Sequence, residues 1–146
     1  MIDPFDLQRF VDAQDSCYAQ VRSELAAGKK RSHWMWFVFP QIQGLGSSGI
    51  AQRFAIAGIE EARAYLDHPV LGTRLRECTA LVNAVAGRSV EDIFGYPDDL
   101  KFRSSVTLFA RAAKDPGVFE EALSKYFNGA PDQATLDRLH KAQRKV

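Results

Sequence analysis

The sequence predicts an all-α fold, a compact single-domain orthogonal array of about six to eight helices, several of them short. Three observations predict it. Apolar residues recur at three- and four-residue steps along most of the chain, the spacing of a helix with one buried face. Helix caps and breakers punctuate these runs, from Asp3-Pro4 near the start to Asn128-Gly129 near the end. No segment alternates with the period of two that a half-buried strand requires.

Asp3-Pro4 reads as an N-cap with proline at the first helical position. Leu7, Phe10, Val11, Cys17, Tyr18, Val21 and Leu25 then describe one long amphipathic helix ended by Gly28. Lys29, Lys30 and Arg31 sit just beyond, where the negative end of a helix dipole attracts cations; they form either a solvated helix end or a positive rim beside the tryptophan segment.

That segment lies within Ser32 to Ser48, SHWMWFVFPQIQGLGSS, the stretch the other helices pack around. Trp34 to Phe39 are consecutively apolar, so the run has no polar face and is buried on every side. Ser32 stands at an N-cap position and Pro40 pushes Phe39 out of the α region. A short helix from His33 to about Val38 is therefore expected, with a buried strand as the alternative. On that reading Trp36→Ala costs about 3–5 kcal/mol.

Beyond the Gly44-Leu45-Gly46-Ser47-Ser48-Gly49 turn, Ile50 to Ala57 make two helical turns and Gly58 interrupts them. Glu60 and Glu61 open a helix with Ala62, Tyr65 and Leu66 inward, and His68-Pro69 restarts the chain. Leu71, Leu75, Cys78, Leu81, Val82 and Val85 describe a central helix closed by Gly87. Ser89 caps a short segment ending at Phe94-Gly95. Tyr96 to Asp99 turn into a helix whose apolar stripe is Leu100, Phe102, Val106, Leu108 and Phe109. Asp115-Pro116-Gly117 breaks the chain before a helix from Val118 to Phe127. A last helix starts near Asp132 with Leu136 and Leu139 inward, before the basic tail KAQRKV frays.

Composition bounds the function. With 146 residues, 46% of them hydrophobic, the chain supports one ordinary core, so residues 1–146 are expected to form a single helical domain. Lys+Arg 19 against Asp+Glu 18 leaves a net charge of +1, which gives no bulk electrostatic reason to expect nucleic acid or a membrane surface as partner. Cys17 and Cys78 are isolated, which signals buried free thiols instead of a zinc site or disulfide framework. The polar N-terminus MIDPFDLQRF and the lack of a long apolar run point to a cytoplasmic protein.

Several motifs are specific enough to suggest kinship. Ser32-His33-Trp34-Met35-Trp36-Phe37 through Phe39-Pro40-Gln41, followed by Gly44-Leu45-Gly46 and Ser48, resembles the signature of the uncharacterised domain-of-unknown-function family 1810. Glu61 to Leu66, Pro69, Leu71, Arg74-Leu75, Asp99-Leu100-Lys101, Ser104-Ser105 and Thr107-Leu108-Phe109 agree with it, so the resemblance covers nearly the whole chain. It implies a small, mostly helical protein and no established activity. Some members carry a calpastatin-like label; nothing in this chain resembles the flexible inhibitory repeats that label denotes.

The residues that carry chemistry cluster around the same stretch. No metal-ligand spacing, G-x-S-x-G, P-loop or dinucleotide fingerprint is present, so no cofactor is expected. The leading expectation is a site between the SHWMWFVFPQ segment and the GLGSSG turn for a small anionic ligand, phosphate-bearing or nucleotide-like. Its protein would be a binding protein or a hydrolase. Trp34 or Trp36 would stack, Gln41 and Gln43 would read polar edges, and Ser47, Ser48 and loop N–H groups would hold the anion with Arg53 in support. Lys101 and Arg103 would face the same pocket, with His33 or Asp99 in proton transfer. The competing expectation is a non-catalytic interaction module whose aromatic segment is purely core. Under it His33 is a hydrogen-bonded structural residue, Asp99 a helix cap, and Lys101 and Arg103 surface charges.

Overall fold

The computed structural model describes residues 2–144. Ten helices occupy them: α1 (Gln8–Asp15), α2 (Tyr18–Ala26), α3 (Met35–Val38), α4 (Gly49–Arg53), α5 (Ile59–Asp67), α6 (Leu71–Ala84), α7 (Val90–Phe94), α8 (Asp98–Ala112), α9 (Gly117–Phe127) and α10 (Gln133–Arg144). The all-α expectation holds. The larger number of elements comes from short pieces and from one split helix.

The split falls where a single long N-terminal helix was expected. Asp3 still acts as a cap, its carboxylate accepting from the N–H groups of Leu7 (2.8 Å) and Gln8 (3.0 Å), but Pro4 lies in a turn and the helix starts only at Gln8. The chain breaks again at Ser16-Cys17, where Cys17 leaves the helical region at φ −138°. Asp15 and Ser16 are weak helix formers, and the break lets Gln14 turn inward, donating to Phe37 O (2.7 Å) and Tyr65 Oη (3.0 Å).

The helix α8 is the hub, packing against α5, α7, α9 and α10, while α6 packs against α2, α5 and α9. Phe102 of α8 stacks on Phe94 at 4.8 Å and meets Phe39 edge-on at 5.0 Å. Phe109, one face-repeat further along α8, lies 5.2 Å from Tyr65, which in turn meets Phe10 at 5.1 Å. Aromatic pairs in these geometries add about 0.5–1.5 kcal/mol each beyond their burial. The buried apolar residues form one contiguous cluster running through all of these contacts.

The tryptophan segment is a helix, shorter than expected. Ser32 is not its cap: α3 begins at Met35 behind Trp34, and the Ser32 hydroxyl donates instead to Glu24. Glu24, nearly buried on α2, also accepts from the N–H groups of Arg31 (2.7 Å) and Ser32 (3.1 Å), from Trp34 Nε1 (3.0 Å) and from Gln20 Nε2 (3.0 Å). One carboxylate thus fastens the basic loop and the core indole to α2. Burial pushes the Glu24 carboxyl up, but the donors, Ser32 first among them, outweigh it and bring it down to about 2.

Other caps match the sequence closely. Ser48 caps α4, accepting from Ala51 N–H at 3.2 Å, and Ser89 and Asp92 form a reciprocal capping box on α7. Asn128 ends α9 in the left-handed region at φ 54°. His68 adds a cap that the sequence did not suggest: its Nδ1 accepts from Val70 N–H (3.1 Å) and Leu71 N–H (3.2 Å) at the start of α6. The last helix continues to Arg144, past the point where the tail was expected to fray; Lys145 and Val146 lie outside the described residues. Cys17 and Cys78 are both free, and burial pushes the Cys78 thiol up to about 12, which makes it a poor nucleophile.

Candidate functional site

The loop after α3 is held open by backbone and arginine contacts. Ile42 and Ile56 form an isolated parallel bridge, with Gln43 N–H donating to Ile56 O (2.8 Å) and Ile56 N–H to Gln41 O (2.9 Å), so residues 43–55 close as one excursion. Arg9 of α1 fastens the far side of that excursion. It donates to Arg53 O (2.8 Å) and Ala55 O (3.0 Å) and pairs with Glu61 at 2.9 Å. Gly44 sits at φ +98°, a backbone conformation that favours glycine, and the Arg138 guanidinium of α10 lies against it.

Between this loop, the start of α8 and the start of α10 lies an open cleft of about 420 Å³. Trp36 and Gln41 line it from the tryptophan segment, Ser47 and Ser48 from the glycine turn, Leu100, Lys101 and Ser104 from α8, and Asp132 from the cap of α10. Trp36 is half-buried, and the Lys101 ammonium stands 5.2 Å from its ring centroid, so π surface and positive charge face one cleft. Asp98 lies 3.4 Å from Lys101 and 2.8 Å from Lys30, whose buried ammonium lies 5.2 Å from the Trp34 ring. The basic triplet therefore splits: Lys30 becomes an internal strut to α8, while Lys29 and Arg31 stay exposed.

Some polar groups of the cleft are already engaged. Ser48 Oγ is the α4 cap, and Asp132 Oδ2 accepts from Thr135 N–H (3.0 Å), Thr135 Oγ1 (2.6 Å) and Ser104 Oγ (3.2 Å). The Gln41 amide and the Ser47 hydroxyl form no side-chain hydrogen bond among the described residues, and Lys101 has only its longer contact to Asp98. A ligand would meet a flat indole, an ammonium, an amide and a hydroxyl at once.

Of the residues singled out from sequence, the structure brings Trp36, Gln41, Ser47, Ser48 and Lys101 into this cleft. It places the others elsewhere. Trp34 is 1% exposed and spends its N–H on Glu24, so it offers no face to a ligand. His33 is exposed on the α2–α3 loop and Gln43 is exposed beyond the Ile42 bridge; neither lines the cleft. Arg53 turns back, its guanidinium 5.2 Å from the Phe54 ring, because Phe54 must bury and the helix α4 ends there. Asp99 accepts from Leu100 N–H at 2.9 Å and does not line the cleft. Arg103 donates to Ala130 O at 3.0 Å and lies 5.3 Å from the Phe127 ring, a brace between α8 and the α9–α10 loop. Sequence pattern does not single out Ser104, Asp132 or Leu100: Leu100 falls on the apolar stripe of α8, yet it is 47% exposed at the cleft wall. No local pattern announces Asp132, which reaches the cleft only because α10 folds back across the loop.

The fold and the cleft define a small all-helical protein with an aromatic, mixed-polar cleft at the junction of its glycine turn and its central helix. The chain belongs to the family described as Protein of unknown function (DUF1810), which matches residues 4–139. A solved structure, that of the conserved hypothetical protein Rv1873 from Mycobacterium tuberculosis, is 59% identical in sequence with a TM-score of 0.94, covering 94% of this chain and 99% of that one. No curated protein matches the chain.

Proposed function

We propose that the cleft binds a small molecule with a planar, hydrogen-bonding ring, of the nucleobase or nucleotide class, and that the protein is a binding protein and not a hydrolase. The observation that carries this reading is the pairing of half-buried Trp36 with Lys101 on one open cleft, while the other indole is committed to the core. The ring would stack on Trp36, the Gln41 amide and Ser47 hydroxyl would meet its polar edge, and Lys101 would attract any phosphate the ligand carries. Catalysis has less support: no imidazole lines the cleft, and Ser104 contacts Asp132 with no base between them.

Calorimetric titration with adenosine and adenosine monophosphate tests the reading. Both should bind, and Trp36→Ala should weaken both by about tenfold, the usual value of a base–aromatic stack. Lys101→Ala should weaken the phosphorylated ligand more than the nucleoside, and Arg53→Ala, exposed and outside the cleft, should weaken neither. Equal affinities in parent and Trp36→Ala would overturn the proposal. A second reading, an interaction module, is favoured by the exposed Tyr96 (74%), Leu100 (47%) and Ile50 (40%) beside the cleft. It predicts that Leu100→Asp abolishes partner capture while nucleotides have no effect.

A further inference from the structure

A second cavity, about 470 Å³, lies between α5, α8 and α10 and shares no lining residue with the cleft. Its polar lining is Arg63 from α5, Arg111 from α8, and Gln133, Asp137 and His140 from α10. The Asp137 carboxylate accepts from Gln133 Nε2 at 3.0 Å and pairs with neither arginine.

The described arginines fall into two sets. Arg9, Arg22, Arg74, Arg76, Arg103 and Arg138 each donate to a carboxylate or a backbone carbonyl within the protein. The side chains of Arg31, Arg53, Arg63, Arg88 and Arg111 form no hydrogen bond or ion pair among the described residues, and of these Arg63 and Arg111 are brought to one cavity by helices distant in sequence. Two guanidinium groups lining one cavity give it a local potential that attracts an anion. Each presents a planar fork of donors that fits a tetrahedral oxyanion on two edges. One aspartate against two arginines leaves the lining with a positive excess.

We propose that this cavity binds a phosphate-class oxyanion, either free or as the terminal group of a phosphorylated small molecule. Arg63 and Arg111 clamp it, and Gln133 and His140 supply further donors from α10. The site is independent of the cleft, so it stands or falls separately from the nucleotide reading. Binding there also ties α5 and α8 to the last helix.

The test is calorimetry and thermal unfolding of the full chain with inorganic phosphate and with phenyl phosphate, at constant ionic strength. The parent should bind at least one of them and unfold at higher temperature in its presence. Arg63→Ala with Arg111→Ala should weaken binding by about tenfold or more, as loss of charge-assisted hydrogen bonds does. Arg88→Ala with Lys114→Ala removes the same charge from exposed positions outside the cavity and should leave affinity within about twofold, which separates a built site from general attraction. Both arginines are exposed, so the double variant should fold, and its circular dichroism confirms that before titration. Tighter binding of phenyl phosphate than of phosphate identifies an esterified ligand, and the reverse a free ion. Absence of binding to the parent, or equal weakening in the two charge-matched variants, would each overturn the proposal.

Discussion

Replacing Glu24 by glutamine tests the fastening of the basic loop. The side chain keeps its shape and loses its charge. Oε1 can still accept from Arg31 N–H, Ser32 N–H and Trp34 Nε1, and the rotatable Ser32 hydroxyl can turn to accept from the new amide. Gln20 Nε2, which donates to Oε2 at 3.0 Å, then faces an amide N–H instead of an acceptor, so the variant removes the charge together with that one hydrogen bond. A carboxyl held at about 2 instead of 4.5 is favoured in its ionised form by ~3 kcal/mol, at about 1.4 kcal/mol per tenfold change in acidity. The loop borders water, and screening there reduces the contribution to about 1–2 kcal/mol. Because the folded value is depressed, the contribution is complete above the unfolded value of 4.5 and is lost as pH falls toward about 2. Urea unfolding of parent and variant should differ by about 1–2 kcal/mol near pH 7, narrow below the unfolded value of 4.5 and converge only as pH falls through the folded value of about 2; other carboxylates titrate equally in both and cancel. A difference that stays constant across that range would refute the idea that Glu24 is held ionised by its donors.

The two tryptophans should separate in thermal or urea unfolding. Trp34→Ala opens a cavity in the core and costs about 3–5 kcal/mol, whereas half-buried Trp36→Ala costs about 1–2 kcal/mol, less than the sequence suggested; equal losses would contradict the assigned burial. Gly72→Ala places a Cβ 2.0 Å from Leu66 O, so α6 must shift away from α5, with a loss of about 3 kcal/mol in urea unfolding; a variant as stable as the parent would show that the helices can separate freely. Arg9→Ala leaves Glu61 buried without its partner and should lower stability by about 3 kcal/mol, with proteolysis quickening first within residues 43–55; uniform cleavage would argue that Arg9 does not hold that loop.

Most of the fold was legible because its signals are local. The capping box at Ser89, the left-handed Asn128 and the apolar spacing of α6 and α8 depend on residues within a turn or two of one another. The break in the N-terminal helix leaves no mark in the spacing because an apolar stripe survives a bend: Phe10 and Val21 are both buried, yet on two helices joined at Cys17. Ser32 reads as a cap because a capping residue and a carboxylate's donor look alike in sequence. Only the approach of α2, which brings Glu24 within reach, decides between them.

The site was half legible for a physical reason that the pair of tryptophans makes plain. Closely spaced aromatics on a short helix point to different sides, so one must bury deeper than the other, and the sequence does not say which. Position 34 faces Glu24 and Phe39, and position 36 faces α8 and the glycine turn. The choice rests on Lys30, Asp98 and Lys101. Lys30 lies over the Trp34 ring and pairs with Asp98, Asp98 lies beside Lys101, and Lys101 lies over the Trp36 ring. One acid thus links the cation behind the core indole to the cation at the cleft indole. Removing it should act at both ends. Asp98→Ala strands the buried ammonium of Lys30, which costs stability of the order of 3 kcal/mol, and it also frees Lys101 from its only ion-pair partner among the described residues, which strengthens its pull on a ligand phosphate. A variant that loses stability and yet prefers the nucleotide over the nucleoside more than the parent does would bear out that link. Unchanged preference would show that Lys101 does not face the ligand.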